Sequence, residues 1–317
     1  MPARALLTGG AGFIGTHLAE SLVADHDVVL FDSLRRNSLA HLPGFADHPR
    51  VTVLQGDILD EDALIHAMDG VDLVIHLAAI AGVSSYQSHP LDVLEVNILG
   101  TRSVLRAVAK AGVPRVIDFS TSECFGADAM WVGDDDAFAI GPSAERRWTY
   151  ATSKLAGEQF VRRYAEDAGF AYSIVRPFNV YGPRQTGEGA ISNFLSAACR
   201  HEPLRVQGDG TALRAWCYVS DMVSAVRAIL ATPGADGEAF NIGNPTEVET
   251  TLGLARRVSR LVPGASIERV PMTGAEVRAR VPSIAKATRL LGWSPRVDLD
   301  AGLRKTYEWF QEGTWSR

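Results

Sequence analysis

Cysteine is scarce in this chain of 317 residues. The three present, Cys124, Cys199 and Cys217, share no metal-like spacing, and an odd number does not build a disulfide framework. Reduced, buried thiols in a cytoplasmic protein are the expectation. Basic charge is not in excess either: 31 Lys and Arg stand against 37 Asp and Glu, a net charge of -6. No basic face advertises nucleic acid or an anionic membrane, and an anionic ligand would need local arginines and helix ends to hold it. Long apolar runs are absent, so no membrane span is expected. The apolar stretch Ala5–Ile14 is broken by Gly9, Gly10 and Gly12, which suits a strand and a tight turn better than a secretory core. The eight histidines form no cluster with metal-site spacing, and no metal is expected. His76, ending an apolar strand, reads as a hydrogen-bonded structural residue, and Trp216 and Trp293 as core aromatics. Repeats and low-complexity segments are also missing.

Present instead is a regular alternation. Ala3–Leu7, Asp27–Phe31, Val51–Leu54, Leu73–His76, Val113–Phe119 and Ala171–Val175 read as strands. Helical stretches separate them at Phe13–Ala24, Glu61–Met68, Leu91–Lys110 and Ala151–Asp167, the third with Leu94, Ile98, Val104, Leu105 and Val108 on one face. Such alternation predicts an α/β fold with a doubly wound parallel sheet of Rossmann type. After Arg176 proline and glycine become frequent. The expected organisation is a nucleotide-binding domain over 1–176 and a smaller C-terminal α/β lobe over 177–317 that closes on a substrate, with some interleaving of the chain. Asp134–Asp136 and Glu145–Arg147 read as a polar surface loop.

Three pieces carry chemistry. Gly9, Gly12 and Gly15 lie between a strand and an amphipathic helix, where glycine lets backbone amides approach a pyrophosphate at a helix N-terminus. Asp32 closes the second strand about twenty residues on, placed to accept hydrogen bonds from a ribose 2′-hydroxyl and to repel a 2′-phosphate, which favours NAD. Arg35 and Arg36 lie nearby, and Asp57-Ile58 is placed to meet an adenine. Second, Tyr150 and Lys154 stand one helical turn apart, where the ammonium and a nicotinamide cation would lower the tyrosine pKa and make the phenolate a general base. Third, Ser120-Thr121-Ser122-Glu123 follows a strand at the end where parallel sheets place their chemistry, with Glu123 as a candidate acid or base on a neighbouring carbon.

These segments, with Arg176-Pro177-Phe178-Asn179, Tyr181-Gly182-Pro183-Arg184, Gly208-Asp209-Gly210, Arg214, Tyr218-Val219-Ser220-Asp221 and Asn241-Ile242-Gly243-Asn244, resemble the extended short-chain dehydrogenase/reductases that modify nucleotide sugars. The resemblance covers nearly the whole chain. It implies NAD held by Gly9, Gly12, Phe13, Ile14, Gly15, Asp32, Asp57, Ile58, Tyr150 and Lys154. It also implies a catalytic set of Thr121, Tyr150 and Lys154, with Lys154 reaching the nicotinamide ribose as well. The substrate implied is a nucleotide-diphosphate sugar, held by Ser122, Asn179, Arg214 and, more weakly, Arg184. A homodimer through helices near 92–111 and 150–167 is implied too.

Every member of that group begins by oxidising C4 of the sugar. Glu123, and Gly141-Pro142 with Arg147-Trp148 before Tyr150, resemble uronate decarboxylases. Residues 185–191, Gln185 to Ile191, supply no additional arginine for a carboxylate and add Glu188, which tips the expectation towards a neutral sugar and 4-epimerisation. Decarboxylation is the alternative, and 4,6-dehydration the less favoured one. A plain NAD(P)-dependent carbonyl reductase would need no diphosphate-binding arginines, and a cofactor sensor no Tyr150/Lys154 pair.

Overall fold

The computed structural model describes residues 2–272 and 274–313. In chain order, β1 (Ala3–Thr8), α1 (Phe13–Leu22), β2 (His26–Asp32), β3 (Val51–Gln55), α2 (Glu61–Ala67) and β4 (Leu73–His76) come first. Next are α3 (Val83–Ser88), α4 (Pro90–Leu94), a π-helical turn over Glu95–Gly100, α5 (Thr101–Ala111), β5 (Arg115–Phe119), β6 (Asp128–Val132) and α6 (Trp148–Ala168). They are followed by β7 (Ala171–Pro177), β8 (Val180–Tyr181), α7 (Ala190–Cys199), β9 (Leu204–Gln207), β10 (Leu213–Ala215), β11 (Cys217–Tyr218) and α8 (Val219–Ala231). The chain closes with β12 (Ala239–Ile242), β13 (Val248–Thr250), α9 (Thr251–Leu261), β14 (Ile267–Val270), β15 (Ala279–Pro282), α10 (Ala285–Leu291) and α11 (Leu299–Gln311).

The large sheet has the order β12-β7-β5-β4-β1-β2-β3, and every pairing in it is parallel. Successive residues of β1 serve opposite faces. Ala5 and Leu7 join a core completed by α1, α8 and α10, and Leu6 joins one completed by α2, α5 and α6. Burial on both faces is why these strands are continuous apolar runs. Strand order reverses between β1 and β4, which opens a crevice at the strands' C-terminal ends.

The second lobe is built on a four-stranded sheet, β13-β10-β15-β6, and a two-stranded one, β14-β9, packed with α7, α9 and α11 around Phe194, Leu195, Trp216 and Leu254. The chain crosses between lobes repeatedly. β6 leaves the first half to pair with β15, while β12 returns to extend the large sheet beside β7. Met222, Val226 and Ile229 of α8 cover the sheet face that α1 leaves open. The position 176/177 falls inside β7.

One helix differs from its sequence reading. Leu91–Lys110 is helical throughout, but the π-turn rotates its inward face, so that Val93, Asn97, Gly100 and Thr101 are buried and Leu94 and Ile98 only half-buried. The cause is polar. The Asn97 amide bridges the backbone N–H and C=O of Ile80 at 2.8 and 3.0 Å and donates to Ser153 Oγ at 3.0 Å.

Candidate active site

The turn from β1 into α1 is held by Gly9 N–H on Phe31 O and Gly12 N–H on Gly9 O, at 2.9 and 3.1 Å. Gly9 has φ +70°, and a Cβ there would stand 2.7 Å from Ala78 N; one at Gly15 would stand 2.6 Å from Gly9 O. No side chain caps α1, so its first-turn amides are open to an anion at the positive end of the helix. Asp32 accepts Ala11 N–H at 3.0 Å and Leu34 N–H at 2.7 Å, which aims its carboxylate across the turn, and burial raises its pKa. Asp57 accepts Leu59 N–H at 3.0 Å, and Ile58 packs on Gly100. A cleft of about 690 Å³ runs past these groups to Thr121, Tyr150 and Lys154. All the residues assigned to the cofactor from sequence line it, and so do Arg35 and Arg36. The donors and the carboxylate suit a dinucleotide.

Thr121 ends the run after β5, where its Oγ1 accepts Glu123 N–H at 3.1 Å and meets the Tyr150 phenol. Tyr150 lies in the first turn of α6, and Lys154 follows one turn later, only 3% exposed. The expected lowering of the tyrosine pKa by Lys154 is not what the chain's own groups produce. Burial raises it, Glu123 and Cys124 raise it further, and the Thr121 hydrogen bond is the opposing influence. His76 lies between Thr8 Oγ1 at 2.6 Å and Thr101 Oγ1 at 3.0 Å, and burial, with Lys154 nearby, lowers its pKa to about 3, so it stays neutral.

Beyond Tyr150, Arg280 and Arg147 pair with Glu123, and Arg214 acts on it from farther off. Arg280 of β15 pairs with it at 2.8 Å and also donates to Gly126 O. Arg147, three residues before Tyr150, reaches it at 3.5 Å and donates to the Tyr86 hydroxyl at 3.3 Å. Burial alone would raise the Glu123 pKa, but Arg280, Arg147 and Arg214 together outweigh it and the net shift is downward. Glu123 is therefore a carboxylate. Arg214 is pushed down to about 10, first by burial and then by Arg280 and Arg147, with the Glu123 carboxylate opposing them. The Nε groups of Arg147 and Arg280 are buried with no hydrogen-bond acceptor.

The other substrate candidates are placed differently. Ser122 is buried in the turn after Thr121. Asn179, at φ +40°, donates its amide to Ala215 O at 3.0 Å. Arg184 turns towards α1, where it meets His17 Nδ1 at 2.7 Å and the Glu20 carboxylate. Arg214 donates to Leu213 O and Val277 O at 2.8 and 2.9 Å. None of these, nor Glu123, lines the cleft itself. Glu188 bonds Ser84 rather than facing the arginine cluster.

Sequence reasoning did not single out Arg280. It lies between Ala279 and Val281 on a short strand, and nothing local tells a buried arginine from a solvated one. Arg147 carried a signal in its spacing from Tyr150.

The model of the NAD dependent epimerase/dehydratase family matches residues 5–243. A UDP-N-acetyl-alpha-D-glucosaminuronate decarboxylase of Bacillus cytotoxicus is 34% identical, over 98% of this chain and 99% of its own. Among solved structures, the UDP-glucuronic acid 4-epimerase of Bacillus cereus, with UDP-glucuronic acid and NAD, superposes with a TM-score of 0.89 at 29% identity, covering 98% and 99% of the two chains. DesIV of Streptomyces venezuelae, a dTDP-glucose 4,6-dehydratase with NAD and TYD bound, superposes with a TM-score of 0.91 at 30% identity, covering 98% of each chain.

Proposed function

The chain belongs to the NAD dependent epimerase/dehydratase family, and from that premise we propose that it oxidises C4 of a nucleoside diphosphate uronate and decarboxylates the resulting 4-keto sugar. The observation that carries this reading is the gathering of Arg147, Arg214 and Arg280 around Glu123 next to Tyr150. Two of these guanidinium groups, of Arg280 and Arg147, pair with that carboxylate at 2.8 and 3.5 Å, and Arg214 bonds backbone carbonyls beside them. The diphosphate that any nucleotide sugar carries answers Arg214, but the two cations paired on the single Glu123 carboxylate are matched by a uronate carboxylate and left in excess by a neutral sugar. The argument for a neutral sugar rested on residues 185–191 lacking an arginine. Cations from the approach to α6 and from β15 answer it. The Bacillus cytotoxicus relative, named for decarboxylation of a uronate, supports the same substrate class.

NAD, held along the cleft by Gly9, Gly12, Gly15 and Asp32, would supply the acceptor for the C4 hydride and its source on return. Tyr150 takes the proton of the 4-hydroxyl, its phenolate favoured by the Thr121 hydrogen bond, and Lys154 is placed to hold the nicotinamide ribose. The new 4-ketone stands β to the carboxylate carbon, so the C5–C6 bond breaks with its electron pair flowing to O4. The protonated Tyr150 then donates to that oxygen. Arg280 and Arg147 orient the uronate carboxylate, and ionised Glu123 beside it raises the energy of the charged ground state, which departure of CO2 relieves. C5 takes up a proton from solvent in place of the departed carboxylate carbon, the O4 proton goes back to Tyr150 as the 4-ketone re-forms, and Tyr150 donates it again when hydride returns to C4.

4-Epimerisation of a uronate is the second reading, favoured by the likeness to the Bacillus cereus enzyme. Incubation with UDP-glucuronate and with UDP-N-acetylglucosaminuronate, without added NAD, separates them by mass spectrometry and chromatography. A product lighter by CO2 supports decarboxylation. A new peak of unchanged mass transfers the assignment to epimerisation, and turnover of neutral UDP-sugars alone sinks the uronate.

A further inference from the structure

In the large sheet β1 lies between β2 and β4. A segment tied to the loops after both neighbours must therefore pass over the C-terminal end of β1, where the glycine turn opens α1. Residues 184–188 are such a segment. On the β2 side, Ser38 Oγ donates to Arg184 O at 2.8 Å and lies 3.0 Å from Thr186 Oγ1. On the β4 side, the two Glu188 carboxylate oxygens accept Ser84 N–H at 2.9 and 3.0 Å, and the Ser84 hydroxyl donates to the same carboxylate. Arg36, from the loop after β2, reaches across between them. Its Nη2 is 3.5 Å from Ser85 Oγ. Its guanidinium packs on Gly187 and Gly82, where an added Cβ would stand 3.2 and 3.1 Å from it. Both glycines have positive φ, +94° and +109°, so neither position readily takes a side chain. Arg36, Ser85, Gln185, Thr186 and Glu188 all line the cofactor cleft.

We propose that residues 184–188 form a strap across the dinucleotide's pyrophosphate, latched by Glu188 on Ser84, with Arg36 as the cation set against the phosphates. The α1 amides and Arg36 would then share the two phosphate charges. The latch serves a reaction that takes a hydride and gives it back, because a cofactor lost between the two halves would strand the keto sugar. This rests on the NAD dependence of the family and the return of hydride, which decarboxylation and epimerisation share, and not on the choice between them.

The test is release of NADH from protein saturated with it, chased with excess NAD and followed by NADH fluorescence, with no sugar present. Glu188→Ala is expected to raise the off-rate about tenfold, a difference of about 1.4 kcal/mol, and Glu188→Gln by less. Ser84→Ala, which keeps the backbone N–H, is expected to fall between Glu188→Gln and the wild type. Arg36→Met is expected to weaken NADH binding and flatten its dependence on salt. Thermal melts without cofactor establish that each variant is folded. Off-rates within about twofold of wild type in folded Glu188→Ala and Ser84→Ala overturn the latch, and an unchanged salt dependence in Arg36→Met overturns the cation. Because no sugar takes part, either outcome is independent of which uronate, if any, is turned over.

Discussion

Glu123 and Arg280 form an ion pair at 2.8 Å that joins the end of β5 to the last strand of the second lobe, 157 residues away in the chain. Arg280 is only 2% exposed, so its charge is oriented by Glu123 and Gly126 O before any ligand arrives. Arg280→Gln removes one partner of a buried charge pair. A loss of about a hundredfold in kcat/KM for a uronate is expected, within the range for truncating such pairs. Arg280→Lys keeps the charge without the planar fork and should recover only part of the activity. Steady-state kinetics on both variants checks this, and near-wild-type turnover by Arg280→Gln would remove the pair from the reaction.

Glu123 also bears on the tyrosine. Its negative charge is among the influences that raise the Tyr150 pKa, second to burial. Glu123→Gln removes that charge, the phenolate becomes easier to form, and the acidic limb of the kcat profile moves to lower pH. Maximal turnover falls at the same time if Glu123 acts on the uronate. A profile that keeps its limb while losing height would show Glu123 acting on the substrate alone.

Tyr150→Phe leaves the cleft's shape intact and removes the proton acceptor. Turnover is expected to drop by about a thousandfold or more, in the range of general acid–base contributions. Titration with NADH should give a dissociation constant close to wild type, because Gly9–Gly15 and Asp32 are untouched. Retained turnover would move the base to another group.

Much of the cofactor half was legible because its signals are local. The turn at Gly9–Gly15, Asp32 at the end of β2, and Leu73–His76 as a strand depend on residues close together in sequence. Interleaving of the chain was expected, but not that β6 and β12 are the strands exchanged, because which sheet a short strand joins is decided by partners 65 residues away for β12 and 151 for β6. The π-turn at Glu95–Gly100 escaped for a related reason: its cause is the Asn97 amide meeting Ile80 and Ser153 in three dimensions. Asn179 and Arg184 illustrate the reverse limit. Their local motifs point to a ligand, and their partners within the fold, Ala215 O for Asn179 and His17 of α1 for Arg184, could not be read from those motifs.

Behind the site, Glu158 and Arg176 form a two-pronged pair at 2.8 and 2.7 Å, both nearly sealed from solvent. Ser120 adds a third hydrogen bond to the same carboxylate at 2.5 Å. Glu158 lies one turn after Lys154, so the pair fixes α6 against β5 and β7 at the depth that presents Tyr150 and Lys154. Glu158→Ala strands a buried guanidinium and is expected to lower stability by about 3–5 kcal/mol. The double change Glu158→Leu with Arg176→Met should be less destabilising than Glu158→Ala, since an apolar pair of similar volume needs no desolvated charge. Urea unfolding of both variants checks the order, and a double variant weaker than the single one would refute it.

Asp118 is a carboxyl group that the fold holds against its own ionisation. It is 1% exposed on β5 beside His76 of β4, its Oδ1 has no hydrogen-bond partner, and burial raises its pKa from 3.8 to about 6. Lys154 pulls that value down and Glu158 pushes it up, both less than burial does. A folded pKa above the unfolded one means the native state binds the proton more tightly. The stability this group contributes is thus fully present below the unfolded value of 3.8 and is lost as pH rises towards and past about 6. Above that, the charged form burdens the fold by an amount of order 3 kcal/mol. Asp118→Asn keeps the shape without the charge, so its advantage over the wild type should be absent near pH 4 and grow to a plateau above pH 7, about one unit past the folded pKa of about 6. Melting temperatures of the two proteins across that window decide it. Curves that stay parallel would mean Asp118 keeps its charge when folded, with Lys154 as its effective counter-ion.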